Sequence, residues 1–223
     1  MGSLRLAEDG GVIMTATNFA TKTANKNTTS ALAGLLLAAG GASRFGAPKV
    51  LAKFRGEPLV RRAARLLVHR CPAGAHVVVG AVADPVRLAL AGEPVVIVEN
   101  PDWARGLSTS LVRGIAALPA QVDAVLILLA DTPAVSAADL DALVAAWAVE
   151  PELIAAASFN DRLGSPVIIP RSFWPQLAAL RGDQGARSLL EWHTEHTTVP
   201  MPNAALDVDT PEDLVRLEAR PAE

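Results

Sequence analysis

The sequence predicts a three-layer α/β fold with a mostly parallel sheet. Three observations carry this. Short runs of continuous apolar residues recur through the body of the chain: GLLLAA (Gly34–Ala39), HVVVGAV (His76–Val82), VVIV (Val95–Val98) and AVLILLA (Ala124–Ala130). Strands that are apolar on both faces are strands covered by helices on both faces. Longer amphipathic stretches separate these runs, and strand–helix alternation of this kind builds a parallel sheet with crossover helices. Finally, 223 residues with 51% hydrophobic and 19% charged side chains suffice for one full core and exclude wholesale disorder.

In order, residues 1–33 read as a flexible arm, rich in Thr, Asn, Lys and Gly and without helical or strand periodicity, and residues 34–223 as one domain. Met14 is a possible natural start within the arm. Lys22 and Lys26 ahead of Ala31–Ala42 mimic a signal peptide, but the apolar segment is Gly/Ala-rich and far from Met1. After the first strand, Pro58–His69 reads as a helix, with Leu59, Ala63, Leu66 and Leu67 on one face and Arg61, Arg62 and Arg65 largely opposite. Pro85–Leu90 and Ser108–Leu118 are the next helices. Ser136–Val149 is a helix with Ser136 as N-cap and Asp139 three residues on. Leu153–Ser158 and Pro166–Ile169 read as strands, Ser172–Leu180 and Gly185–His193 as helices. Thr210-Pro211-Glu212-Asp213 opens the last helix with a cap, a first-turn proline and acids at the positive end of the dipole.

The charge balance is 20 Lys and Arg against 23 Asp and Glu, a net of −3, which argues against broad capture of nucleic acid. No run of about 18 strongly apolar residues suggests a membrane span. The single cysteine, Cys71, excludes an intrachain disulfide and fits a reducing compartment such as the cytoplasm.

Ligands of parallel α/β sheets bind beyond the carboxyl ends of the strands, so residues just after strands matter most. The strongest such segment is Leu37-Ala38-Ala39-Gly40-Gly41-Ala42-Ser43-Arg44-Phe45-Gly46-Ala47-Pro48-Lys49. Small residues let backbone N–H groups approach a phosphate chain, Arg44 can fork onto phosphate oxygens, and Lys49 is a compact charge. A plain strand-to-helix turn would explain Gly40-Gly41, but not Ser43, Arg44 and Lys49 within the next eight positions. A P-loop is excluded because Gly46 is followed by Ala47-Pro48-Lys49. A dinucleotide fingerprint fails on glycine spacing, and its acidic position falls near Arg61 and Arg62.

Three more segments follow strands or turns. Asn100-Pro101-Asp102-Trp103-Ala104-Arg105-Gly106-Leu107-Ser108-Thr109-Ser110 offers Gly106 for close approach and Ser108 or Ser110 for hydrogen bonding, with loop packing as the bland reading for Trp103 and Leu107. Asp131 ends the most apolar run, where a carboxylate must be solvated, capped or metal-bound. Asp207-Val208-Asp209-Thr210-Pro211 offers a second acid, Asp209, since Thr210 already caps the helix.

The glycine-rich loop resembles that of the MobA-like NTP transferases: L-A-(A/G)-G, small polar residues, Arg, a hydrophobe, Gly and then Lys. The resemblance implies a Rossmann-like nucleotidyltransferase fold, a triphosphate wrapped by Ala38, Ala39, Gly40, Gly41 and Ser43, and Arg44 and Lys49 stabilising departing pyrophosphate. It makes Asp131 the Mg²⁺ ligand at the α-phosphate, with Asp209 beside the metal or the acceptor. Asn-x-x-Trp-x-x-Gly-x-x-x-Ser resembles the base and ribose segment of molybdenum cofactor cytidylyltransferases, implicating Asn100, Gly106, Ser108 and Ser110. Gly164-Ser165-Pro166 and Gly182-Asp183-Gln184-Gly185-Ala186-Arg187 resemble two further signatures of that branch, implicating Gly164, Asp183 and Arg187 on the pterin-phosphate side. Ala39, where guanylyltransferases tend to carry Gly, points to CTP. Pro48 departs from the acid many relatives carry there and resembles isoprenoid and sugar nucleotidyltransferases.

The resemblance thus implies CMP transfer from CTP to molybdenum-molybdopterin, and a molybdenum hydroxylase as a possible partner. Two alternatives stand beside it: another phosphate acceptor such as a sugar, polyol or phosphoenolpyruvate-type metabolite, and a catalytically silent chaperone for a molybdenum hydroxylase. His193-x-x-His196 is a poor zinc site, having no third ligand nearby. Trp147, Trp174 and Trp192 read as core or interface.

Overall fold

Leu32–Ala38 (β1) is buried along its whole length and sits near the middle of a seven-stranded sheet. The structure is a computed structural model and describes residues 31–41 and 45–220. The last two residues of the stretch read as arm, Leu32 and Ala33, belong to β1, and residues 1–30, Thr15–Ser30 included, lie outside the described residues. Alternate β1 side chains serve two cores. Leu32, Leu36 and Ala38 face one, with Leu35, Leu37 and Ala39 facing the other.

The first core is closed by helices α1 (Leu59–Val68), α2 (Ala83–Ala89) and α4 (Ala137–Val149), through Val60, Leu67, Val86, Leu140, Leu143 and Trp147. The second is closed by α3 (Leu107–Ala116), α5 (Trp174–Ala179) and α6 (Arg187–Trp192), through Leu111, Trp174, Leu177, Leu189 and Leu190. This is the three-layer architecture expected from continuously apolar strands.

The remaining strands are β2 (Lys53–Phe54), β3 (Glu57–Pro58), β4 (Ala75–Val79), β5 (Val95–Glu99), β6 (Ala124–Leu129), β7 (Ile154–Phe159), β8 (Arg162–Pro170) and β9 (His196–Pro200). β2 and β3 form a small separate hairpin; the large sheet runs β5-β4-β1-β6-β8-β7-β9. All its neighbours pair in parallel except β8, which is antiparallel to both β6 and β7. The cause is local. Asn160 and Asp161 both adopt positive φ, 47° and 56°, the geometry of a tight hairpin turn that residues of this type tolerate. The turn lies at the end of the sheet where the parallel strands finish, beside Gly40 and Asp131.

The last helix, α7 (Pro211–Glu218), has the expected Thr210 cap, completed as a capping box by Asp213. α4 has the Ser136–Asp139 box. A third small core of Phe54, Leu59, Val208 and Leu217 ties α7 to the β2–β3 hairpin. Among the described residues no helix is long and apolar enough to cross a membrane.

Candidate active site

The glycine-rich segment leaves β1 and forms one wall of a cavity of about 430 Å³. Leu37–Gly41, Lys49, Trp103, Gly106, Ser110, Asp131 and Asp183 line it. Its floor depends on a close approach at Gly80. A Cβ there would lie 2.7 Å from the Ala39 carbonyl oxygen and 2.7 Å from Trp103 Cβ. β4 stops at Val79, short of the apolar run that continues to Val82. Trp103 also lies under Gly41, where a Cβ would come 3.0 Å from the indole. The indole therefore props the loop from below, a role that the bland packing reading of Trp103 contained only in part.

Asp131, Lys49 and Asp209 come together at the mouth of this cavity. Lys49 Nζ donates to Asp131 Oδ2 at 2.9 Å and to Asp209 Oδ1 at 3.0 Å. Asp131 follows β6, and the Val208 N–H donates to the Asp131 carbonyl at 2.8 Å, which fixes Asp209 beside it across 78 residues of chain. Burial pulls the Lys49 ammonium down, but the charge and hydrogen bonds of Asp131, with those of Asp209, outweigh it and hold its pKa above the ordinary value. The lysine is a firmly charged cation between two carboxylates.

The residues present fit a divalent cation. Asp131 Oδ1 is buried and has no hydrogen-bond partner among the described residues, so one oxygen of the strand-end carboxylate is uncommitted among them. Among the described residues no cluster of three or more His, Cys, Asp or Glu exists that could hold a metal alone. Mg²⁺ needs no such cage: one or two carboxylates suffice when substrate phosphates and water supply the other oxygens.

A second cavity, of about 240 Å³, opens on the other side of Asp131. Its walls are largely apolar: Leu37, Leu107, Leu111, Ile127, Leu129, Phe159 and Leu163. Arg162, Arg187 and Asp207 add charge. Gly164 and Ser165 of β8 also line it. The hairpin turn at 160–161 brings Phe159 and Arg162 here, with the Arg162 guanidinium 5.1 Å from the Phe159 ring centre.

The segment after α5 forms the partition between the two cavities. Asp183 faces the loop cavity, whereas Gly185, Ala186 and Arg187 face the apolar one. It is held against the start of α3 by the Ser108 N–H, which donates to the Gly182 carbonyl at 3.0 Å. Gly106 makes the approach possible. Its φ is +112°, and a Cβ there would meet the Gly182 carbonyl carbon and oxygen at 2.3 Å.

Three comparisons with known proteins bear on this fold. The MobA-like NTP transferase domain matches residues 34–198. The chain belongs to that family. The nicotine blue oxidoreductase of Paenarthrobacter nicotinovorans is 33% identical, over 82% of this chain and 95% of that protein. Among solved structures, the Rv0371c homologue of Mycobacterium sp. strain JC1 superposes with a TM-score of 0.71 and 27% identity, over 84% of this chain and 95% of that one. Rv0371c of Mycobacterium tuberculosis H37Rv in complex with manganese superposes with a TM-score of 0.65 and 28% identity, over 84% of this chain and 98% of that one. The fold and the enzyme class expected from the loop therefore stand: this is a nucleotidyltransferase of the MobA-like family.

Within this transferase the residues singled out from sequence do not all reach a cavity. Ala38, Ala39, Gly40, Gly41, Lys49, Gly106, Ser110, Asp131 and Asp183 line the loop cavity, and Gly164 and Arg187 line the apolar one. Asp209 reaches the site through Lys49. Asn100 and Ser108 are instead buried, 3% exposed each, and line neither cavity. Asn100 Nδ2 donates to Thr109 Oγ1 at 2.9 Å and Ser110 Oγ at 3.0 Å, and Oδ1 accepts from the Asp102 N–H at 3.0 Å. With its amide spent on the loop, Asn100 orients Ser110 and is corrected from ligand contact to loop organiser. Ser108 lies inside α3, whose N-cap is Gly106. Ser43 and Arg44 lie outside the described residues.

His193 faces Gln176, with Nε2 2.8 Å from Oε1, and His196 starts β9, so the pair does not form a metal site. Cys71 is buried, and burial pushes its thiol up to about 12, as an inert core residue should behave. Sequence reading missed Thr132, Phe159 and Arg162 in the apolar cavity. The signal for the last two was the Asn160-Asp161 turn between two apolar runs.

Proposed function

We propose that this transferase moves CMP from CTP to a molybdopterin-type phosphate acceptor with Mg²⁺, releasing pyrophosphate. The observation that carries the reading is the meeting of the two cavities at Asp131, beside Lys49. One cavity has the backbone and charge for a triphosphate. The other has apolar walls and arginines suited to a ring-bearing, anionic acceptor. The Ala39 methyl in the loop cavity favours a pyrimidine over the larger purine.

In the reaction, the acceptor's terminal phosphate oxygen attacks the α-phosphorus. One P–O bond forms, the bond to the β-phosphate breaks, and pyrophosphate takes the electron pair. The chain's tasks are alignment and charge neutralisation, so no general base is needed. Backbone N–H groups of the Gly40–Gly41 segment cradle the triphosphate, and Arg44 and Lys49 balance charge moving onto the leaving group. Asp131 and Asp209 would hold Mg²⁺, which supplies charge neutralisation at the α-phosphate. Ser110, oriented by Asn100, and Asp183 are available to the nucleoside. Arg162, Arg187 and Phe159 orient the acceptor across the shared Asp131.

The test is a screen of four NTPs against molybdopterin, sugar-phosphate and polyol-phosphate acceptors, read by pyrophosphate release with Mg²⁺ or Mn²⁺. Release with CTP and molybdopterin supports the reading. Release with a different pair reassigns the substrates. The relative from Paenarthrobacter carries the name of an oxidoreductase, so reduced nicotinamide is a further arm; its consumption without any pyrophosphate would overturn the transfer reading.

A further inference from the structure

The sequence assigns Lys49 to phosphate and Asp131 and Asp209 to metal, as if these were separate tasks. The structure brings all three to one point. Lys49 Nζ lies 2.9 Å and 3.0 Å from one oxygen of each acid. A divalent ion bridging the same two oxygens would sit against the ammonium, and two cations cannot share that space at close range.

We infer that Lys49 is the built-in counter-ion of the Asp131–Asp209 pair, and that a metal ion enters only as nucleotide phosphate draws the ammonium away. The inference rests on the metal role proposed above for the two acids. The anchoring of Lys49 suits such an exchange. Its neighbour Val50 is buried in the first core and holds the backbone, while the ammonium sits at the end of a flexible four-carbon stem. The ammonium needs a new anionic partner when it leaves, and the cavity it lines is the one with the phosphate-binding wall. Metal and nucleotide therefore bind together, and the free enzyme keeps its acids neutralised and its metal affinity low.

The test measures Mn²⁺ binding to the nucleotide-free full chain by electron paramagnetic resonance, without activity as a readout. Wild type should bind weakly. Lys49→Met removes the competing cation and should tighten binding about tenfold, the scale expected for a partly exposed ion pair. Lys49→Arg keeps a cation and should stay weak. Lys49→Met binding no more tightly than wild type, with an unchanged melting temperature, would overturn the inference. Adding Asp131→Asn to Lys49→Met should abolish the gain; if binding stays tight, the ion sits elsewhere and the metal role of Asp131 is what fails.

Should Lys49→Met not fold, the wild-type ammonium gives a second measurement. Its ¹⁵Nζ resonance, assigned by its loss in Lys49→Arg, should move in step with Mg²⁺ occupancy measured by calorimetry. A resonance that stays in place while Mg²⁺ binds would overturn the exchange.

Discussion

The two cavities are built from different materials, although they share Leu37, Leu107, Leu129 and Asp131. The loop cavity sets the small residues Ala38–Gly41 against Trp103 and the shared leucines, with charge supplied by Lys49, Asp131 and Asp183. The apolar cavity is walled by Leu, Ile and Phe side chains from five elements, β1, α3, β6, β7 and β8. A triphosphate presents the same oxygens whatever its base, so a wall of N–H groups and a few charges can serve it without large side chains. An acceptor is distinguished by its body, and only side chains can be shaped to a body. On the proposed function, the first cavity carries the chemistry and the second carries selectivity.

The largest expected effect is at the carboxylate common to both. Asp131→Asn should leave the melting temperature close to wild type and lower kcat by about 10²–10³, the scale seen when one transition-state charge stabiliser is removed. Pyrophosphate release at saturating CTP is the measurement. Unchanged turnover and unchanged Mg²⁺ dependence would break the idea that the cavities meet at a working carboxylate.

The next effect tests whether the partition serves both cavities. Gly106→Ala places a methyl where the Gly182 carbonyl now sits and forces a φ of +112° on a residue with a side chain. Strain of this kind costs about 1–3 kcal/mol. Because the 182–187 segment faces both sides, KM should rise for CTP and for the acceptor together. A change in one KM alone would show that the partition belongs to a single cavity.

The two cavities also differ in how far the sequence discloses them. The loop cavity is legible because one of its walls, Leu37–Gly41 with Lys49, is a single segment following one strand, and because Gly, Arg and Lys at short spacing suit a phosphate chain. The parallel half of the sheet is legible for the same local reason: β1, β4, β5 and β6 are continuous apolar runs. The apolar cavity is assembled from β6, α3, the β7–β8 hairpin and the start of α6. Its Leu and Phe residues are indistinguishable in sequence from ordinary core. The reversal of β8 hinges on two residues, Asn160 and Asp161, and β9 is a half-exposed edge with no continuous apolar run. Asn100 misled because a buried amide that organises a loop and one that binds a base look alike until its partners are seen.

A smaller effect concerns how Asp209 is kept at the shared mouth. Asp213 accepts hydrogen bonds from the Thr210 hydroxyl at 2.9 Å, the Thr210 N–H at 2.8 Å and the Asp209 N–H at 3.1 Å. The Thr210 hydroxyl leads in lowering its pKa to about 2. The folded value lies below that of an unfolded Asp, about 3.9, so its contribution to stability is complete above about pH 4 and is lost as pH falls toward 2. In Asp213→Ala that part of the acid-unfolding profile should disappear. Turnover at neutral pH should fall only severalfold, because Asp209 loses a backbone tether and keeps its bond to Lys49. A loss as large as that of Asp131→Asn would mean that α7 positions more of the loop cavity than Asp209.

The smallest effect asks whether the loop cavity has any selectivity of its own. Ala39 is 4% exposed and belongs to the second core with Leu37 and Val78, yet it also lines the loop cavity. Its methyl is thus shared between packing and ligand. Ala39→Gly opens room for a purine but also loosens the end of β1. One methyl in a pocket is worth about 1–3 kcal/mol of discrimination, and a methyl partly spent on the core should fall at the low end. The kcat/KM ratio of CTP over GTP, with one acceptor, should therefore narrow severalfold without inverting, since Ser110 and Asp183 keep their places beside the nucleoside. Melting temperature separates the two roles of the methyl. A lower Tm with an unmoved ratio would assign Ala39 to packing alone and leave base choice to the wall formed by Trp103–Ser110 and Asp183. A wild type that already prefers GTP would remove the cytidine reading while leaving the shared carboxylate, and the division of labour between the cavities, untouched.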